Sequence, residues 1–292
     1  MAQRPVSPGD RLGDYVVEHG LGAGAMARVV RARRRGCGTV VALKLVERDC
    51  AERRRRLWLE GALQARVAHR HVVAVVERFR DAGRPILALE HVDGPDLADR
   101  LGEGPPELRA VDRLVEGLGA GLAAVHAAGL VHGDVKPANV LLAPGGVCKL
   151  ADFGLARPAG RDTGGPGGTP RYMAPEQWAG GAVDARADVF ALGCLLYEAL
   201  TDRHAFPGEP AAARARIRAG AFVPIRQLRR DLSPARIAAV ERCLAPDPGD
   251  RPADAAALVA AWRVASAAAR CDDPASLAPR RGAEETLACA AS

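Results

Sequence analysis

Between Asp134 and Asn139 the chain packs an acid, a lysine (Lys136) and an amide into six residues, preceded by Val131-His132-Gly133. Eighteen residues after Asp134 stands Asp152, followed by Phe153 and Gly154. Phosphoryl transfer needs such parts. One carboxylate must take or orient the acceptor's hydroxyl proton. Another carboxylate and an amide oxygen must hold Mg2+ against the β- and γ-phosphates, and a lysine must neutralise charge on the transferring group. Earlier, Gly22 and Gly24 stand two apart, where backbone N–H groups can approach phosphate oxygens. A tight hairpin without a ligand gives the same pattern. Lys44 ends the apolar run Val41-Ala42-Leu43 and can reach phosphates as a point charge, although a lysine laid along apolar surface also fits. Glu60 lies inside an apolar helical pattern, either as the carboxylate such a cation requires or as a surface acid.

Two kinds of structure must position these groups. In the first ninety residues, strands are expected over 15–20, 29–33, 39–46, 72–79 and 85–91, with turns at 34–38 and 81–83. The spacing of Leu57, Leu59, Leu63 and Val67 predicts one helix over 51–67. From Gly94 onward the pattern turns helical, over 108–128, 185–201, a helix opened by Ser233-Pro234, and 254–268. Residues 158–170 are rich in glycine and proline and read as a mobile loop. A small β-rich lobe followed by a larger helical one leaves a cleft for a nucleotide.

The 292 residues suit one large domain or two associated lobes. Apolar residues make up 48% and aromatics only 4%, so aliphatic side chains and alanine must fill the core. A formal charge of +6 suits anionic ligands without selecting nucleic acid. The run Arg53-Arg54-Arg55-Arg56 wraps around a helix and forms no single basic face, so it reads as a solvated helix start and no nucleic-acid partner is expected. Residues 1–10 hold no signal-peptide core, and no apolar run approaches the roughly 20 residues of a membrane span. The expectation is a cytoplasmic protein without membrane insertion. Seven scattered cysteines with no C-x-x-C pair argue against a disulfide framework or a zinc site.

The ordered motifs resemble those of protein kinases, specifically the eukaryotic-like serine/threonine kinases common in bacteria, over residues 14–264. The resemblance implies an α+β, two-lobed kinase fold. It places the small lobe at 14–92 and the larger lobe at 93–266 after an N-terminal extension at 1–13, while the low apolar content after about Arg270 reads as a disordered tail, bounded at 267–292. It implies ATP with Mg2+, or Mn2+ in its place, and protein substrates with serine or threonine acceptors. Asp134 matches the catalytic base and Lys136 the lysine of the serine/threonine type. Asn139 and Asp152 match the magnesium ligands. Leu21, Gly22, Gly24, Val29, Ala42, Lys44 and Glu60 match the nucleotide site, with Leu89 as gatekeeper and Glu90 and Val92 in the adenine-binding hinge. Thr169 and Glu176 match the substrate segment, Thr169 contacting the catalytic lysine and aspartate. His132, Asp188 and Arg251 match structural positions, Arg251 as the partner of Glu176. Thr163 offers a hydroxyl for autophosphorylation. Two positions depart from the pattern: Ala27 replaces the third loop glycine, and Gly133 replaces the arginine that binds a phosphorylated activation loop. His-Gly-Asp also occurs in small-molecule kinases of the aminoglycoside type, which lack the Met173-Ala174-Pro175-Glu176 segment. A pseudokinase binding module is the other alternative, but Lys44, Asp134, Asn139 and Asp152 are all present.

Overall fold

Alternation of apolar and polar residues near the N-terminus becomes a sheet. The computed structural model describes residues 6–23, 27–46, 50–162 and 167–271. Strands β1 (Arg11–Leu12), β2 (Tyr15–Ala23), β3 (Arg28–Arg34) and β4 (Val40–Leu45) are followed by helix α1 (Ala51–Gln64), then β5 (Val75–Asp81) and β6 (Arg84–Glu90). Among the described residues these six strands form one antiparallel sheet, ordered β1-β2-β3-β4-β6-β5. The period of two along β4 sends Val41, Leu43 and Leu45 into one core with Tyr15, Val17, Val30 and Ile86. Ala42 and Lys44 are thereby left on the opposite face. There Ala42 packs with Leu57 of α1, Leu87 and Leu89.

Three local boundaries differ from expectation. Residues 6–13, read as an extension, complete the sheet: Leu12 pairs with Tyr15, and Val6 and Leu12 are buried in its core. Helix α1 ends at Gln64, because its last turn tightens through Arg66 N–H to Leu63 O and Val67 N–H to Gln64 O. Val67 then joins the core of the helical lobe. Val72 lies outside β5 and bridges to Leu150 instead.

The larger lobe opens with α2 (Leu97–Gly102), α3 (Leu108–Ala127) and β7 (Leu130–Val131). The hairpin β8 (Val140–Ala143) and β9 (Val147–Leu150) follows, then β10 (Arg157–Pro158), β11 (Arg161–Asp162), α4 (Pro175–Ala179) and β12 (Ala182–Val183). The remaining helices are α5 (Ala185–Thr201), α6 (Pro210–Ala219), α7 (Ile225–Leu228), α8 (Pro234–Cys243) and α9 (Ala255–Cys271). Helix α5 is buried nearly all round and forms the axis of this core, as expected for a helix apolar on every side. The stretch 158–170 is not uniformly a loop. β10 pairs with β7 and β11 with β12, so its backbone groups find partners in short ladders. Helix α9 continues to Cys271, and near its end Ser266 is buried and accepts a hydrogen bond from Arg236 Nη2 at 3.0 Å. Residues 272–292 lie outside the described residues. Each tryptophan carries arginine over its ring: Arg78 and Arg80 on Trp58, Arg214 on Trp178, and Arg236 on Trp262.

Candidate active site

Sheet, helix α1 and the end of β9 converge on Lys44. Its Nζ donates to Glu60 Oε1 at 2.6 Å and to Asp152 Oδ1 at 2.8 Å. Glu60 is only 5% exposed, so the pairing foreseen from composition is that of a buried acid and not a surface one. Burial pulls the Lys44 ammonium down, but the two carboxylates outweigh it and hold its pKa above the usual lysine value. Burial likewise opposes ionisation of Asp152, and Lys44 overcomes it, leaving Asp152 below the usual carboxylate range. Asp152 has φ +60, a left-handed conformation rare for a residue with a side chain. Its Oδ1 also accepts from Gly154 N–H at 3.2 Å. Arg56 Nε donates to Gly154 O at 3.0 Å, so one of the four consecutive arginines is a tether and not merely solvated.

The loop between β7 and β8 is fixed from below by α5. Asp188, fully buried, accepts from His132 N–H at 2.7 Å and Gly133 N–H at 2.8 Å. Burial raises its carboxyl, but the hydrogen bond from His126 Nε2 (3.0 Å) and these backbone donors bring it below the usual range. His132 is buried, stacks edge-on against Phe153 and reaches Ala151 O at 3.0 Å. Above this scaffold the Asp134 carboxylate accepts from four donors. Oδ1 takes Thr169 N–H (3.0 Å) and Oγ1–H (3.1 Å); Oδ2 takes Lys136 Nζ (2.7 Å) and Asn139 Nδ2 (3.1 Å). Lys136 Nζ also donates to Thr169 Oγ1 at 2.8 Å.

Residues expected at the nucleotide site from the sequence lie along the sheet. Gly22 pairs with Val29, and Ala42 with Leu89, which is buried. Leu21 is exposed at the sheet's lip, and Val92 packs in the same cluster as Ala42. The Glu90 carboxylate is committed to Lys149 at 2.8 Å and to Ala74 N–H at 3.2 Å, so its side chain ties the end of β6 to β9 and to the residue before β5. Gly24 and Thr163 lie outside the described residues. Sequence reasoning missed Gly94: a Cβ there would lie 1.9 Å from Leu142 O, so only glycine lets the chain leave the hinge beside β8. It also missed His126, since a lone histidine late in an apolar helix carries no local signal.

On the far side of Asp134, Lys136, Thr169, Tyr172, Glu198, Asp202 and His204 line a cavity of about 550 Å3. Tyr172 Oη donates to Glu198 Oε2 at 2.5 Å, and burial followed by Glu198 raises its phenol far above the usual value. Glu176 forms a two-pronged pair with Arg251, at 2.7 and 3.0 Å.

The sequence profile of the protein kinase domain matches residues 15–263. The chain belongs to the protein kinase family. This kinase domain is 37% identical to serine/threonine-protein kinase PknL of Mycobacterium tuberculosis, over 84% of this chain and 63% of that protein. It is 32% identical to serine/threonine-protein kinase pkn3 of Myxococcus xanthus, over 94% of this chain and 54% of the relative. A probable serine/threonine-protein kinase, SCO3848 of Streptomyces coelicolor, is 37% identical over 69% of this chain and 32% of its own length. The kinase domain thus spans less than two thirds of the curated relatives it matches. Among the described residues no helix is long and apolar enough to cross a membrane.

The kinase's donor set fits a hard divalent cation. Asn139 Nδ2 is committed to Asp134 O (2.8 Å) and Oδ2, so its Oδ1 is the atom that would face a cation, and Asp152 would add exposed carboxylate oxygen. Among the described residues no group of three or more His, Cys, Asp or Glu could cage a metal alone. Two oxygen ligands suit an ion that takes its remaining partners from phosphates and water.

Proposed function

We propose that this chain transfers the γ-phosphoryl group of ATP to serine and threonine hydroxyls of protein substrates in the cytoplasm. The observation that carries this reading is the Asp134–Lys136–Thr169 cluster, closed on one side by the scaffold of α5 and open on the other to the 550 Å3 cavity. Asp134 accepts the proton of the incoming hydroxyl, and its four donors aim it. Lys136 stands beside that hydroxyl to neutralise charge on the transferring group. Lys44, held upright by Glu60, meets the α- and β-phosphates, while Ala42, Leu89 and Val92 surround the base. A divalent cation, magnesium by preference, would be held by Asn139 and Asp152 and would neutralise the β- and γ-phosphate oxygens. Thr169 and Tyr172 line the cavity in which a polypeptide acceptor would lie, and the buried Glu176–Arg251 pair holds the segment behind them, which favours a protein over a small molecule.

Labelled phosphate from ATP is expected on serine and threonine of an added protein acceptor. Phosphoamino-acid analysis checks this, and a product that is mainly phosphotyrosine would overturn it.

Activity is also expected not to depend on activation-loop phosphorylation. A phosphate orders a loop only where a cation awaits it, and Gly133 provides none. The segment is held by other means: Arg157 pairs across to Val131, and Thr169 binds Asp134 directly. Arg157 itself donates from Nε to Leu155 O at 3.2 Å, and its Nη2 lies 3.5 Å from where a Cβ on Gly133 would be. The kcat of phosphatase-treated and autophosphorylated enzyme should agree within tenfold. A larger loss, about 1.4 kcal/mol or more, would show that Arg157 or another loop arginine has taken over the missing cation's role.

A further inference from the structure

Residue 133 immediately precedes the catalytic aspartate, so the orientation of its peptide aims Asp134. Gly133 has φ +80, and a Cβ there would meet Leu155 O at 3.1 Å. Glycine adopts this conformation without strain but is equally free to leave it, so holding it there takes partners outside the residue. Its N–H is held by Asp188, as described above. Its carbonyl is held from a different element: Gln177 Nε2 donates to Gly133 O at 2.9 Å. Gln177 lies on α4, 44 residues away in the chain, and is 2% exposed. The other end of the same carboxamide is also in use, because Gln177 Oε1 accepts from Ala174 N–H at 2.9 Å and caps α4. One bond requires an acceptor and the other a donor, so a carboxamide serves both and a carboxylate serves only the cap.

We propose that Gln177 is a positioning residue for phosphoryl transfer. It fixes the carbonyl of Gly133 so that the two peptides flanking that glycine are both held, the one before it through its N–H to Asp188 and the one entering Asp134 through its C=O to the α4 carboxamide. The same contact couples the substrate segment to the base, since α4 begins directly after Thr169–Ala174. This inference rests on the phosphotransferase reading above.

Gln177→Glu separates positioning from capping. It keeps an oxygen for Ala174 N–H and sets the second oxygen against Gly133 O. Gln177→Met, neutral and similar in length, removes both bonds. Wild type, both variants and Asp134→Asn are compared in single-turnover phosphoryl transfer to casein. KM for ATP, affinity for Mg-ADP and melting temperature are measured in parallel. The expected result is a fivefold or larger fall in the single-turnover rate for Gln177→Glu, with KM for ATP and Mg-ADP affinity within threefold of wild type. A smaller fall in a variant that still binds Mg-ADP would overturn the proposal, since capping alone would then explain the residue. If Gln177→Glu fails to bind Mg-ADP, Gln177→Met, which loses the cap as well, supports the proposal only if its rate falls fivefold or more while its melting temperature stays within about 3 °C of wild type, a cap loss of no more than about 1 kcal/mol; any other result overturns it. Loss of Mg-ADP binding in both would make Gln177 a folding residue and equally overturn it. An inactive wild type that binds Mg-ADP would instead remove the phosphotransferase reading, and this inference with it.

Discussion

Asp134→Asn is expected to slow phosphoryl transfer by about 10²- to 10⁴-fold, the usual worth of a positioned general base, in a protein that still folds and binds nucleotide. The surroundings of Asp134 make the loss steeper than charge alone suggests. All four groups on its carboxylate are donors: Thr169 N–H and Oγ1–H, the Lys136 ammonium and the Asn139 amide. An asparagine offers an oxygen to only one of these pairs and turns its own NH2 toward the other, so Lys136 or Thr169 is displaced as well. Retention of more than a tenth of wild-type activity, in a variant with unchanged Mg-ADP affinity, would remove Asp134 as the base. Asp152→Asn and Lys44→Met should also abolish transfer. Lys44→Met carries an added stability cost, because it leaves Glu60 buried at 5% exposure without its cation. Asp152→Asn is therefore the cleaner companion.

Arg251→Met should destabilise the fold by about 3–5 kcal/mol, the penalty for breaking a buried charge pair. Every N–H of this fully buried guanidinium is engaged. Nη1 reaches Glu176 Oε1 at 2.7 Å and Arg186 O at 3.0 Å. Nη2 reaches Glu176 Oε2 at 3.0 Å and Pro246 O at 2.9 Å, and Nε reaches Ala245 O at 2.7 Å. Its face also lies 4.9 Å from the centre of the Phe190 ring. Methionine fills much of the volume but strands a carboxylate and three carbonyls. Lysine is no substitute, because its ammonium cannot match the planar fork. Thermal unfolding should show a melting temperature lower by about 6–20 °C, at about 2–4 °C per kcal/mol for a domain of this size. A shift of only 1–2 °C would mean that the segment after Glu176 is held by something other than this pair.

The parts that could be read from sequence are those whose chemistry is concentrated in short segments. Asp134, Lys136 and Asn139 fall within six residues, and Asp152 follows just after the β8–β9 hairpin, so a single cluster of the first three can be expected without a fold. Lys44 and Glu60 were paired by complementarity, since a cation on an apolar strand and an acid inside an apolar helix each need the other. Contacts made at long range by ordinary residues were not legible. Nothing about a glutamine after Pro175-Glu176 announces a bond to Gly133, and neither period nor motif joins Tyr172 to Glu198. The two-residue ladders of β10 and β11 are too short for any alternation to show. Residues 6–13 look polar and irregular, so the burial of Val6 and Leu12 emerges only once β1 pairs with β2.

The arginines lying over the three tryptophans have an optical consequence. Trp58 is on α1, two positions before Glu60; Trp178 follows Gln177 on α4; Trp262 sits on α9 and donates to Asp112 at 3.0 Å. Their emission therefore reports from three separate places, the helix that carries the partner of Lys44, the substrate segment and the base of the larger lobe. Single-tryptophan versions would turn the molecule into its own set of probes. A swing of α1 that parts Glu60 from Lys44 would draw Trp58 away from Arg78 and Arg80 and shift one signal, while Trp262 held its colour as an internal reference.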